Sequence, residues 1–343
     1  MHHGISPPQD ADPFGLIYGF RFRPGEAGRE IDSATALACL RQAPEEEPDE
    51  FLWLHLNLAH AACERWMKRH LELPEYFFES LREGSRSTRI EHVDSALLAV
   101  VNDVVFNFGL VSSDVATLWV CARGRLLVSA RAQPLRSVDK LRSSVKHGEP
   151  FRSPLQLLIH LLRDQGDVLT QIVRETSVAV DRIEDQLLAL RLSANRANRA
   201  DLGAMRRVLV RLQRLLALEP GSLLRLLNRP PEWLQDADLR ELREATEEFS
   251  LVISDLTALG ERIKLLQEEI AAKLNEQNNR ILFTLTMVTV LALPINIVAG
   301  FFGMNVGGIP FADDPEGFWI MLVLVASFTF LAGRWAFRKR GDY

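Results

Sequence analysis

Two stretches near the C-terminus carry no alternation between apolar and polar positions. From Ile281 to Phe302 the chain reads ILFTLTMVTVLALPINIVAGFF, uncharged over about 22 positions and long enough to cross a hydrocarbon core as helix. From Phe318 to Phe337 it reads FWIMLVLVASFTFLAGRWAF, where the only charge, Arg334, sits near the end and can snorkel to the headgroups. Apolar residues on every face of both segments suit lipid better than a soluble core. A first transmembrane helix is therefore expected over 281–302 and a second over 318–337.

Upstream the pattern is different. Short alternating or apolar runs, Leu16 to Phe22, Phe51 to Leu58, Ala96 to Phe106, and Thr117 to Ala122 with Arg125 to Ala130 around Gly124, predict strands of a mixed sheet. Ala61 to Leu71 and Glu75 to Glu83 predict helices, the first closed at Pro74. After Pro154 the pattern is helical throughout: Leu155 to about Leu192, Leu202 to about Leu227, and a third helix from near Asp238. That third helix shows Phe249, Ile253, Leu256, Ile263, Leu266, Ile270 and Leu274 mostly three or four apart, and nothing breaks it before the first span. Continued through Phe302, with Pro294 as an expected kink, it would be on the order of 95 Å long.

The expected fold class is an α/β cytoplasmic domain followed by long helices and two transmembrane α-helices. The boundaries are an α/β domain over 1–154, a helical hairpin over 155–237, a stalk helix over 238–280, the first span over 281–302, an outer loop over 303–317, the second span over 318–337 and a basic tail over 338–343.

Charge adds an orientation. The loop between the spans carries Asp313, Asp314 and Glu316 with no Lys or Arg, whereas Lys273 and Arg280 precede the first span and Arg338, Lys339 and Arg340 follow the second. Positive flanks stay inside, so both termini are expected in the cytoplasm. The stretch from Met1 to Phe14 lacks the apolar run of a signal peptide, which agrees. Cys39, Cys63 and Cys121 form no CxxC pair, as suits a reducing compartment. The net charge of -5 and a mean hydropathy of -0.00 average a polar front with a greasy end. No nucleophile triad, phosphate loop or metal-ligand motif stands out, so an enzyme is not expected, and no nucleic-acid partner is expected either.

Only about 15 residues join the spans, too few for an outer domain. Two helices cannot enclose a watery path, so conduction would require several copies around an axis, whereas anchoring would not. One broad face of the first span and its approach carries Asn275, Asn279, Leu282, Thr286, Thr289, Leu293 and Asn296. In a ring this face would present neutral oxygen dipoles separated by greasy constrictions, which suits a hydrated cation. The same residues also serve as interhelical hydrogen-bond glue. Neither span contains Asp, Glu, His or Cys, so no directly coordinating metal site and no proton relay is expected within the bilayer.

After the first span come Gly303, Met304 and Asn305, then Val306, Gly307, Gly308, Ile309 and Pro310. The Gly-Met-Asn triplet inside PINIVAGFFGMN, a second span within about 15 residues and a basic tail resemble the CorA superfamily of divalent cation transporters. The continuation GGIP, the WLHLNL strand and the DRIEDQL segment at Asp181 to Leu187 are most like its ZntB zinc transporter branch. The resemblance covers nearly the whole chain. It implies a funnel-shaped homopentamer embedded in lipid, the first span lining the pore and the second packed outside. It also implies that Gly303, Met304 and Asn305 form the outer mouth, with the Asn305 amides accepting hydrogen bonds from the waters of an arriving hydrated cation. The transported ion would be Zn²⁺, with Co²⁺, Ni²⁺ and Cd²⁺ as further substrates and no resident cofactor. Mg²⁺ and Co²⁺ transport of the CorA type, or a membrane-anchored sensor or scaffold without flux, are the alternatives.

Other features stay open between two readings. Asp313, Asp314 and Glu316 concentrate cations outside or merely solubilise the loop. Glu244, Glu247 and Glu248 resemble in placement the acidic sensing site of magnesium transporters, or form a solvated helix face. Nine arginines between Arg191 and Arg229 form a patch for anionic lipid or a solvated face. His55, His60, Cys63 and His70 could hold zinc or be structural.

Overall fold

The computed structural model describes residues 12–41, 50–84, 87–105, 115–188, 195–218, 226–228, 230, 233–304, 310 and 315–339. The chain divides into two compact units, Met1–Leu266 and Gln267–Tyr343.

The first unit is built on one sheet. Strands β1 (Leu16–Phe22), β2 (Arg29–Ile31), β3 (Phe51–Asn57), β4 (Arg89–Val93), β5 (Ala96–Val104), β6 (Val115–Arg123) and β7 (Leu126–Arg131) order as β2-β1-β3-β7-β6-β5-β4. All pairs are antiparallel except β3 with β7, where Leu54 lies beside Val128. The strand period of two sends Tyr18, Phe20, Trp53, Leu97, Ala99, Val120 and Leu127 to one face, and Leu54, Leu56, Leu98, Cys121 and Val128 to the other. Both faces are covered. Helices α1 (Ser33–Arg41), α2 (Cys63–His70) and α3 (Glu75–Glu83) pack on the second face, and α4 (Arg136–Lys146) and α5 (Pro154–Leu188) on the first. Strand β5 is consequently buried along its whole length.

Local signals explain several boundaries. Asp32 Oδ1 accepts the Thr35 N–H at 2.8 Å and starts α1. Ser153 Oγ accepts the Gln156 N–H at 3.1 Å, and Pro154 stands in the first helical position of α5. Gly84, with φ of 73°, follows the end of α3. Helix α6 (Asn195–Leu216) is tied to the sheet where Asn102 Nδ2 donates to the Leu215 carbonyl at 2.8 Å.

Helix α7 runs unbroken over 67 residues, Asp236–Phe302, with Pro294 inside it. In the first unit its stripe Leu242, Ala245, Phe249, Leu256, Ile263 and Leu266 is buried, and Phe249 reaches within 3.9 Å of where a Cβ on Gly166 of α5 would stand. Its start is anchored by Asp238, its side chain 3% exposed, which accepts Arg152 Nη2 at 3.0 Å and Ser153 Oγ at 2.8 Å. Farther along, Arg262 bridges Asp181, at 2.7 Å, and Glu184 on α5.

Helix α8 spans Gly317–Lys339. By length and composition α7 can cross a membrane, with a mean hydropathy of 2.3 in its most apolar window and none of that window buried. The apolar run carried by the described residues of α8, Gly317–Leu331, is shorter.

The expected strands all appear, with those at 51 and 96 ending at Asn57 and Val104. Helix α2 starts at Cys63 rather than Ala61, and α6 begins at Asn195 and ends at Leu216, earlier at both ends than expected. Strands β2 and β4 and helices α1 and α4 were not expected.

Candidate functional site

Over the apolar part of α7 and its approach, Asn275, Asn279, Leu282, Thr286, Thr289, Leu293 and Asn296 are all exposed. At 3.6 residues per turn they occupy an arc of about 100°. The half-buried positions between Ile281 and Phe302 are Met287, Leu291, Ala292, Pro294 and Val298, and all but Ala292 cluster about 140° away from the centre of that arc. On α8 the covered positions are Gly317, Met321, Val325, Thr329 and Gly333, each four residues from the next. A Cβ on Gly333 would lie 3.9 Å from Leu291 Cδ2. The two helices thus meet through one seam, and the amide and hydroxyl stripe of α7 turns away from it.

The stripe's chemistry follows from its local bonds. Thr289 Oγ1 donates to the Leu285 carbonyl at 3.0 Å, which leaves its lone pairs outward as acceptors. Such a surface offers hydrogen-bond acceptors without offering charged ligands.

At its end, α7 closes with the Gly303 N–H donating to the Ala299 carbonyl at 2.9 Å and the Met304 N–H to the Phe301 carbonyl at 3.3 Å. A Cβ on Gly303 would approach the Ala299 oxygen to 3.1 Å, so close approach favours glycine here. Met304 is exposed. Asn305, Asp313 and Asp314 lie outside the described residues, while Glu316 is exposed and its carbonyl accepts the Trp319 and Ile320 N–H groups of α8 at 3.0 and 3.2 Å.

Glu244, Glu247 and Glu248 are exposed on α7, opposite its buried Leu242, Ala245 and Phe249. Among the described residues no group of three or more His, Cys, Asp or Glu is arranged to hold a metal ion. The zinc reading of His55, His60, Cys63 and His70 gives way to a structural one. Buried His55 accepts Arg131 Nε at 2.8 Å on Nε2, sets Nδ1 2.7 Å from Ser129 Oγ, and stacks on Tyr18 at 4.7 Å. Both ring nitrogens are used, and burial with the Arg131 charge holds its pKa well below the usual imidazole range. Burial pushes the Cys63 thiol up to about 11, aided by Glu64, so it resists forming the thiolate that zinc binds. His60 is exposed, and its Nδ1 accepts the Ala62 N–H at 3.3 Å. In the arginine-rich hairpin, Arg207 and Arg214 are exposed on α6 and Arg206 and Arg211 half-buried; Arg191, Arg225 and Arg229 lie outside the described residues.

The DRIEDQL segment acquires a physical role that its sequence alone does not reveal. Its Asp181 and Glu184 hold Arg262, a partner 78 residues from Glu184 and invisible to local pattern.

Known proteins share this fold. A divalent cation transporter named CmaX from Pseudomonas aeruginosa is 29% identical over 343 residues, covering 96% of this chain and 98% of its own length. The solved structure of full-length CmaX superposes with a TM-score of 0.75 at 25% identity, over 97% of this chain and 99% of that one. A zinc transport protein, ZntB, from Pectobacterium atrosepticum is 25% identical over 276 residues, 80% of this chain and 83% of its own. The CorA magnesium transporter structure from Methanocaldococcus jannaschii shares the fold, with a TM-score of 0.70 at 18% identity over 92% and 96% of the two chains. The family described as CorA-like Mg²⁺ transporter protein matches residues 48–339, and with that extent of agreement the chain belongs to the CorA-like family.

Proposed function

We propose that this chain is the subunit of a homopentamer that moves hydrated divalent cations, Zn²⁺ foremost, across the inner (plasma) membrane, with two spans per subunit and both termini in the cytoplasm. The observation that carries the reading is the exposed stripe from Asn275 to Asn296, turned away from the seam with α8. A single chain leaves these amides and hydroxyls unpaired with any neighbour's, and lipid would penalise them, whereas a ring of copies places them on a shared aqueous axis. Exposed Leu251, Ala258, Leu265 and Ala272 precede Asn279 at seven-residue intervals on the same helix, the spacing of a seam between parallel helices.

Without Asp, Glu, His or Cys in either span, the pathway offers hydrogen bonds to an ion's water rather than ligands to the ion. Capture begins at the Gly303, Met304 and Asn305 mouth in this reading, and Asp313, Asp314 and Glu316 raise the local cation concentration. Glu244, Glu247 and Glu248 form an exposed acidic face where cations can collect on the cytoplasmic side. The preference for Zn²⁺ rests on likeness to ZntB; the family description and the archaeal CorA fold favour Mg²⁺ as the second reading.

The deciding experiment is uptake of radiolabelled Zn²⁺ and Mg²⁺ by proteoliposomes containing the full chain. Zn²⁺ uptake is expected. Mg²⁺ uptake without Zn²⁺ uptake rejects the zinc assignment, and uptake of neither supports the anchored sensor instead.

A further inference from the structure

The N-terminal unit contains a cleft that cation passage does not use. It has a volume of about 690 Å³ and lies between the end of α1, the end of α2 and the β6–β7 turn, within the size range of small-molecule sites. Four guanidinium groups line it: Arg41 from α1, Arg69 from the last turn of α2, and Arg123 and Arg125 on either side of Gly124.

Two of these are held in place by backbone. Arg123 Nη1 donates to the Glu72 carbonyl at 2.6 Å, and Arg125 Nη2 to the Cys39 carbonyl at 3.5 Å. They are therefore positioned groups on the hairpin rather than freely waving side chains. The Glu72 carboxylate, 3.8 Å from the same Arg123 nitrogen, is the single carboxylate among the described lining residues, and its side chain is 92% exposed. Among the described lining residues, four guanidinium groups thus stand against one carboxylate. Its wall is also apolar, with Leu37, Leu71 and Leu126, and a free inorganic anion has no use for that surface.

We propose that this cleft binds an organic polyphosphate of the nucleoside triphosphate class, its phosphates on the arginine forks and its ring against the leucines. Guanidinium groups match phosphate oxygens two at a time and also stack on flat rings, so one residue type serves both ends of such a ligand. The inference is independent of ion flux, since it concerns binding to the N-terminal unit.

The test is calorimetric titration of the full-length protein in detergent, in divalent-free buffer, with ATP and separately with inorganic tripolyphosphate. Saturable ATP binding is expected, weakened about tenfold or more in R41E/R69E, tightened in E72Q, and at least about tenfold stronger than tripolyphosphate binding. Arg41 and Arg69 are exposed, so the melting temperature of R41E/R69E should match the parent and show that lost affinity is not lost folding. Absence of saturable ATP binding, or equal affinity in R41E/R69E, overturns the site. Equal affinity for tripolyphosphate overturns the organic ligand class. Four residues after Arg41 the sequence carries Glu45, Glu46 and Glu47; ATP binding seen only in E45Q/E46Q/E47Q would assign the cleft to the chain's own acidic run and likewise overturn the proposal.

Discussion

Gly333 of α8 lies against Leu291 of α7: a Cβ at Gly333 would sit 3.9 Å from Leu291 Cδ2. That is ordinary contact distance, so a methyl fits and a longer side chain does not. G333A should leave thermal stability in detergent unchanged, whereas G333L should cost about 1–3 kcal/mol through overpacking. An unshifted melting temperature for G333L would show that the helices do not depend on this seam.

Asn296 faces away from that seam and is exposed, so its replacement tests the pathway rather than the hairpin. N296L should preserve expression and melting temperature while lowering Zn²⁺ uptake by about tenfold, because in the proposed ring of copies leucine side chains there narrow and dry the axis. N305A should lower uptake in the same assay by removing the amides at the mouth. Unaltered uptake in both variants would remove the stripe and the mouth from the route.

Asp103 supplies a pH signature. Its buried carboxylate accepts the Ser137 N–H at 3.1 Å, Ser137 Oγ at 2.9 Å and the Val104 N–H at 2.8 Å. Burial nevertheless outweighs these bonds and raises its pKa from 3.8 to about 6. Between those values the folded chain holds a proton that the unfolded chain has released. Stability from this group is therefore highest below pH 3.8, falls as pH rises to about 6, and is level above. The loss is on the order of 3 kcal/mol. Unfolding of D103N followed across this range should show a shallower slope than the parent. Neighbouring Asp164, whose carboxyl is also raised by burial, adds a slope of the same sign.

Asp238 and Arg152 fix the start of α7, with the carboxylate 3% exposed and the guanidinium at 3.0 Å. R152A leaves a buried charge with only Ser153 Oγ as its remaining bonded neighbour among these two, and should destabilise the N-terminal unit by about 2–4 kcal/mol. D238N, which retains an acceptor for Ser153, should cost less. Equal melting temperatures for R152A and the parent would show that the ion pair does not anchor the helix.

Much of the fold is legible in local pattern. Strands β1 and β3 read directly from Leu16 to Phe22 and Phe51 to Leu58, because aromatic and aliphatic side chains fill both faces of a covered sheet. Helix α7 reads from its stripe and its lack of breakers. Helix α1 escaped notice because its buried face is only Ser33, Ala36 and Cys39, although Asp32 and Thr35 supply a capping signal. Helix α4 has a clear buried face in Val138, Leu141 and Val145, but its start depends on Asp103, 34 residues away. Strand β4 is short, and its two-residue turn places Asp94 and Ser95 at φ of 46° and 62°, a conformation usually signalled by glycine or asparagine.

Hydrophobic length, charge asymmetry and the order of residues around Gly303 are properties of the chain as written, so they determined the long terminal helix, its apolar end, the Asn and Thr stripe and the family resemblance. Pairing across distance is not such a property. Only the tertiary structure decided that Leu291 faces Gly333 and leaves Asn296 outward, that Arg262 closes on Asp181 and Glu184, and that both nitrogens of His55 are spent on Ser129 and Arg131. Periodicity tells which side chains share a face; which neighbour covers that face depends on packing among segments far apart in sequence.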